Sequence, residues 1–245
     1  VAVPLWSAGE VVGVLAATAG KPDRFTSYHE DLASLLANCA VPPIEKARLA
    51  RLAVTDAQTM VFNHAYLIVG LRAEMAAARR RAATLSVLLM DLDAFGRVND
   101  RHGHAAGDRV LRAFADLIRQ NTRDEDVVVR RGGDEFVVIM PGASKRTAQL
   151  AAERMRAALA ATSIELPSHA EVSVTVSIGA ACWDGSESPE ELERRAQDAM
   201  QAAKLHGRNR VSFDDNDHMR RTSTSTPQDN VIDIRDDGAD AKPNN

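Results

Sequence analysis

The spacing of apolar and polar positions changes repeatedly along the chain, and each change marks an element. Residues 1 to 19 (VAVPLWSAGEVVGVLAATA) cluster apolar side chains around Ser7-Ala8-Gly9-Glu10, which predicts a hairpin that begins abruptly on Val1, as though a domain were cut into. From Thr26 the period is helical, with Leu32, Leu35, Leu36 and Cys39 three or four residues apart and Thr26 or Ser27 as N-cap. Pro42-Pro43 should kink or interrupt this helix before Ile44-Glu45-Lys46-Ala47-Arg48-Leu49 resumes it. A second amphipathic helix follows a break over 54 to 63 and ends in Arg79-Arg80-Arg81, where positive charge complements the helix dipole.

Leu85-Ser86-Val87-Leu88-Leu89-Met90 is a nearly continuous apolar strand that stops on Asp91-Leu92-Asp93. Gly103 and Gly107 bracket a turn ahead of a helix over about 108 to 120, with Val110, Leu111, Phe114, Leu117 and Ile118 on its inner face. Val127-Val128-Val129 and Val137-Val138-Ile139-Met140 predict two buried strands that turn at Gly132-Gly133, a hairpin with Asp134 and Glu135 at its tip. Residues 145 to 161 read as a helix with Leu150, Met155 and Leu159 toward the core. Residues 171 to 182 alternate as a strand with one wet face. Ser188-Pro189-Glu190-Glu191 opens a last helix that Gly207 closes, and Val211 and Phe213 add a short strand. From Leu85 onward the order is strand, helix, strand, strand, helix, strand, helix, the split βαβ plan of an α/β (α+β) ferredoxin-like sheet flanked by helices.

Composition narrows the class. The formal charge is −4, and residues 214 to 245 account for all of it, leaving 26 acidic and 26 basic residues in the rest. No basic surface is implied, so nucleic-acid binding has no compositional support. The tail itself has hardly an apolar side chain and reads as disordered. Cys39 and Cys182 stand in no metal-ligand spacing and read as packed small side chains; cysteine usage this sparse fits a reducing cytoplasm. No apolar run reaches the roughly 18 residues of a membrane span.

The carboxylates carry the chemistry. In the split βαβ plan the first strand and the hairpin are neighbours, so Asp91 converges with Asp134 and Glu135. Oxygen ligands without His or Cys select Mg²⁺ or Mn²⁺ rather than zinc. Two such ions activate a hydroxyl and neutralise a leaving pyrophosphate, which is nucleotidyl transfer.

Four blocks in order, MDLDAFGRVNDRHGHAAGDRVL, RRGGDEFVVIMPG, SVTVSIGAA and AAKLHGRNRV, make the region from about Ala53 to Phe213 resemble the GGDEF family of diguanylate cyclases, which make cyclic di-GMP from two GTP on a palm-type, nucleotide cyclase-like fold. The resemblance implies two metal ions per active site, held by Asp91, Asp134 and the carbonyl of Leu92, with Asp134 and Glu135 as catalytic carboxylates. It implies guanine recognition by Asn99 and Asp108, and phosphate contacts from Lys204, Arg208, the backbone at Phe95 and the close approach allowed by Gly132 and Gly133. Arg123 and Asp126, with Arg154, match the family's inhibitory product site. One domain holds one GTP, so a homodimer is implied. Residues 1 to 43 resemble the C-terminal end of a GAF sensory domain, 44 to 55 a connecting signalling helix, and 56 to 213 the cyclase domain.

The match has gaps. Gly96 stands where the family usually has Lys, Gln197 and Gln201 replace an Asp and a Tyr, and the usual D-x-L-T-G-L-x-N-R keeps only Asp56, Thr59 and Asn63. His102 and His104 form an H-x-H pair, with His104 at a structural position of the family. The alternative to an active enzyme is a silent domain that senses GTP or cyclic di-GMP.

Overall fold

The computed structural model describes residues 1–21 and 24–214. Its elements are β1 (Ala2–Ser7), β2 (Glu10–Ala16), α1 (Ser27–Ala53), α2 (His64–Arg81), β3 (Leu85–Leu92), α3 (Phe95–His102), α4 (His104–Gln120), β4 (Val127–Gly132), β5 (Glu135–Pro141), α5 (Lys145–Ala160), β6 (Ile164–Glu165), β7 (Glu171–Val172), β8 (Val176–Cys182), α6 (Pro189–Leu205) and β9 (Val211–Phe213).

β1 and β2 form the expected hairpin, with Ser7 opposite Glu10 and Ala8-Gly9 as its turn. α1 follows Thr26 but runs unbroken through Pro42 and Pro43. Two lost N–H donors do not end it, because the Glu, Lys, Ala, Arg and Leu residues that follow are strong helix formers. Its apolar stripe also faces outward. Leu35, Leu36 and Cys39 are exposed, and Ala37 is the buried residue of this helix, so Cys39 is not a packed side chain.

The main sheet has the order β4-β5-β3-β8-β9, antiparallel except for the parallel β8–β9 pair. β3, β4, β5 and β8 make the split βαβ arrangement and β9 extends it. All eight residues of β3 are buried, because helices cover both faces of the sheet. Leu88, Met90 and Leu92 pack with Phe114, Phe136 and Met155 on the α4–α5 side. Leu85, Val87 and Leu89 pack with Leu67, Leu71 and Met200 on the α2–α6 side.

Four expectations need correction. The strand over 171 to 182 is split, with β7 paired to β6 in a small hairpin and β8 buried between β3 and β9, so it has no wet face. α4 begins at His104 with Gly107 inside it, and α3 fills residues 95–102. Leu150 is 63% exposed whereas Met155 and Leu159 are buried, since α5 turns only one stripe inward. Asp214, read as the start of the tail, donates its N–H to Ala180 and pairs with Arg195, while residues 215–245 lie outside the described part.

α6 lies unusually close to β8. A Cβ placed at Gly179 would stand 2.1 Å from both the Ala196 carbonyl oxygen and the Met200 nitrogen. Ser188 and Glu191 form a capping box at the start of this helix, which fixes where it begins.

Candidate active site

β3 ends and the β4–β5 hairpin turns at the same edge of the sheet. Asp91 and Glu135 are register partners, so both side chains leave the face covered by α6. The turn is Gly133-Asp134, one residue later than the glycine pair predicts. Gly132 is the last residue of β4, opposite Glu135, and of the two glycines Gly133 alone has positive φ, at 52°. The register slips between Arg130 and Gly132, and such a bulge re-aims the tip. The Leu92 N–H, 3.4 Å from the Asp134 carbonyl, draws the turn toward the end of β3.

Asp91, Asp134 and Glu135 therefore share one corner. Burial raises the pKa of Asp91; Lys204, whose Nζ lies 2.6 Å from Oδ2, opposes the rise, and the Asp134 and Glu135 charges add to it. Burial likewise pushes the Asp134 carboxyl up. Glu135 is held by Arg131 at 3.0 Å, and Arg131 in turn reaches Glu193 (2.8 Å) and Gln197 (3.0 Å) on α6. Sequence reasoning passed over Arg131 and Glu193 and noted Gln197 only as a departure; here Gln197 accepts from the guanidinium.

Among the described residues no three His, Cys, Asp or Glu stand as a ready metal cage. The donors are nonetheless all oxygen, and Lys204 shows where positive charge settles beside Asp91. That suits a hard dication bound by one or two carboxylates and completed by phosphate and water, as Mg²⁺ usually is. Asp93 has a different task. Its carboxylate accepts from Thr175 Oγ1 (2.7 Å), Ser177 Oγ (2.7 Å) and the Asn209 N–H (3.0 Å), which ties the loop carrying Arg208 to the end of β3. Arg208 itself is exposed, at φ 60°.

α3 starts at Phe95 behind Ala94 in the left-handed region, and Asn99 lies against α4 at Gly107, the residue before Asp108. A Cβ at Gly107 would fall 2.0 Å from Asn99 Oδ1, so this glycine exists for close approach and not for a turn. Gln58 donates to Asp108 Oδ1 and accepts from Arg130 at 2.5 Å. Arg130 also reaches Asp56 (3.2 and 3.3 Å) and the Gly133 carbonyl (3.0 and 2.8 Å). Burial works against the Asp56 charge, but bonds from Thr59 and Arg130 outweigh it and hold its pKa below the usual value. The retained Asp56 and Thr59 are thus a structural pair, and Asn63 caps α2 through the Ala65 N–H.

Arg123, Asp126 and Arg154 line a separate cleft of about 200 Å³, with Thr147 and Leu150 in its wall. Burial raises the Asp126 carboxyl, and Arg154 is anchored on Asn121. The cleft borders the start of β4, and the carboxylate turn follows its end.

The sequence pattern described as "Diguanylate cyclase, GGDEF domain" matches residues 53–210. The chain is 32% identical over 227 residues to Diguanylate cyclase A of Treponema denticola, covering 87% of this chain and 59% of that protein. It is 36% identical over 158 residues to Diguanylate cyclase DosC of Escherichia coli, covering 64% and 34%. The chain thus spans between about a third and three fifths of these two relatives. Among solved structures, the coiled coil and GGDEF domain of DgcB from Caulobacter crescentus, in complex with c-di-GMP, superposes with a TM-score of 0.70 at 28% identity, covering 77% of this chain and 100% of that one.

Proposed function

Because this chain belongs to the GGDEF family of diguanylate cyclases, we propose that it condenses two GTP into cyclic di-GMP and two pyrophosphates between two copies of itself. The observation that carries this reading is the placement of Asp91, Asp134 and Glu135 at one end of the β3–β5 pair, with Asp108 joined to the turn at Gly133 through Gln58 and Arg130.

Asp91, Asp134 and the Leu92 carbonyl would hold the dications, two per site. Bound there, Mg²⁺ or Mn²⁺ would supply Lewis acidity and charge neutralisation for the transfer of a phosphoryl group. Asp134 accepts the proton of the 3′-hydroxyl, and Glu135 supports it. Lys204 exchanges Asp91 for phosphate as substrate arrives, Arg208 and the backbone at Phe95 take the remaining phosphate oxygens, and Gly132 and Gly133 leave room at the turn. Asp108 accepts the paired N1–H and N2–H donors of guanine while the Asn99 amide meets a further base atom; adenine lacks that donor pair.

The second GTP comes from a second copy. α1 supports this, since Leu35, Leu36, Leu49 and Leu52 are each more than half exposed along it and a partner helix would cover them. Residues 1–43 then serve as a GAF-like sensory segment, with 44–55 passing its signal to a catalytic domain over 56–213. The cytoplasm is the compartment that supplies GTP and keeps Cys39 and Cys182 reduced; among the described residues no helix is long and apolar enough to cross a membrane.

Incubation with GTP and Mg²⁺ gives a product of the mass of cyclic di-GMP, at a specific activity that falls as dilution separates the dimer. No product at a concentration where light scattering shows a dimer overturns the enzyme reading in favour of a nucleotide sensor. Gly96 and the altered 56–64 segment are the features that favour the sensor.

The cleft of Arg123, Asp126 and Arg154 supports product feedback, since two guanidiniums and a carboxylate match the phosphates and the guanine N–H donors of cyclic di-GMP. Arg123→Ala is expected to raise the product concentration needed for half-inhibition by about tenfold, the value of one charge-assisted bond. Inhibition that is unchanged in this variant removes the cleft from the feedback.

A further inference from the structure

Gln58 departs from the family pattern, which has Leu at this place in D-x-L-T, and it is the side chain that joins the base-reading side of the site to the catalytic turn. Its amide NH₂ donates to Asp108 Oδ1 and its amide oxygen accepts from Arg130 Nη1. Arg130 grips the Gly133 carbonyl with Nε and Nη2. The chain of bonds therefore runs Asp108, Gln58, Arg130, Gly133. Gln58 is not loosely placed. Asp56 and buried Thr59 on either side of it are bonded to each other, and Asp56 to Arg130.

We propose that Gln58 is a positioning residue that sets the guanine selectivity of this chain by fixing the plane of the Asp108 carboxylate and coupling it to the turn that carries Asp134. The proposal rests on the assignment of Asp108 to base reading. An unbonded aspartate, even one as partly buried as Asp108, can turn about two bonds, and two parallel N–H groups are matched only when the carboxylate lies in the plane of the base. A bond to Oδ1 removes that freedom and leaves Oδ2 and a second lone pair on Oδ1 for the base. An amide suits the midpoint between a carboxylate and a guanidinium, because it carries a donor and an acceptor at one tip. Leu offers neither, and Glu sets a second negative charge against Asp108 while still accepting from Arg130.

That difference supplies the test. The probes are the α,β-methylene analogue of GTP, which cannot release pyrophosphate, and its hypoxanthine counterpart, which lacks the 2-amino donor. Equilibrium binding of both to the full chain with Mg²⁺ gives a guanine-over-hypoxanthine ratio that does not depend on how much of a variant is folded. Gln58→Ala is expected to weaken the guanine analogue about five- to tenfold and to lower the ratio. Gln58→Glu is expected to weaken it further, although its bond to Arg130 survives. In an Asp108→Ala background Gln58→Ala is expected to change binding by less than about twofold, since coupled residues are not additive.

Parent-like binding in Gln58→Glu would mean that only the bridge to Arg130 matters and would overturn the proposal, as would an unchanged ratio in Gln58→Ala. Asp108→Ala separates the two levels. If it keeps the parent ratio, the base-reading assignment fails and takes the role of Gln58 with it. If it lowers the ratio while Gln58→Ala does not, the assignment stands and the proposal for Gln58 alone falls.

Discussion

Asp134→Asn is expected to lower turnover by about 10²–10⁴-fold, the range for losing a proton acceptor in the transition state, and to make the metal-free protein more stable. The second effect follows from burial, which raises the Asp134 pKa in a corner that already holds Asp91 and Glu135. The folded chain keeps the proton to a higher pH than the unfolded chain does. Below the unfolded value both states are protonated and the parent and variant differ little. As pH rises through the folded value the parent gains a half-buried charge that the amide never carries, and the gap is fully open at neutral pH. A rise in melting temperature is expected at pH 7.5. Lower pH, toward the carboxylate range, should shrink it. Thermal melts in chelator at two pH values decide the matter: a variant that melts at or below the parent at pH 7.5 contradicts a strained carboxylate corner. The parallel change at Asp91 is a poorer test, because it also removes the ion pair with Lys204.

Gly179→Ala carries the largest expected cost to stability. The added methyl would meet the Ala196 carbonyl and the Met200 nitrogen and Cα, all backbone atoms of α6 that no rotamer change can move aside. Overpacking of this kind costs about 3 kcal/mol, a fall of about 6–10 °C in melting temperature for a domain of this size. Relief requires α6 to shift off β8, and α6 carries Glu193, Gln197 and Lys204, which hold Arg131 and Asp91. Gly96→Ala is the contrast. A Cβ there meets nothing within 4 Å, and φ lies outside the left-handed region, so the melting temperature should stay level or rise slightly. Differential scanning calorimetry of the two variants tests the contrast; equal melting would show that the close α6–β8 packing is not a constraint.

Much of the fold was legible in short runs. β3 and β5 show as apolar, β-branched stretches because strands covered on both faces need no polar alternation. Ser188 and Glu191 three apart show where α6 begins, since the cap is made by those side chains on their own backbone. That the carboxylates at the end of β3 and at the hairpin tip converge was readable because the strand order makes those ends neighbours.

Other parts had no local signature. The interruption expected at Pro42-Pro43 does not occur, because helix-forming residues on the C-terminal side carry α1 onward. Gly107 read as a turn, whereas its lack of a side chain serves Asn99 on a different helix. Leu150 has the hydrophobicity of a core residue, and only the rotation of α5 against the sheet puts it in a cleft wall.

The sequence by itself determined the run of strands and helices, the hairpin turning beside Asp134, and the oxygen-only donor set, since period, β-branching and side-chain chemistry are properties of neighbouring residues. Only the tertiary structure decided which cation sits on Asp91, that Arg131 ties Glu135 to α6, and that Gln58 spans Asp108 and Arg130. Those contacts join residues far apart in the chain, and a charged side chain takes the partner that packing brings within bonding distance, which no local pattern specifies.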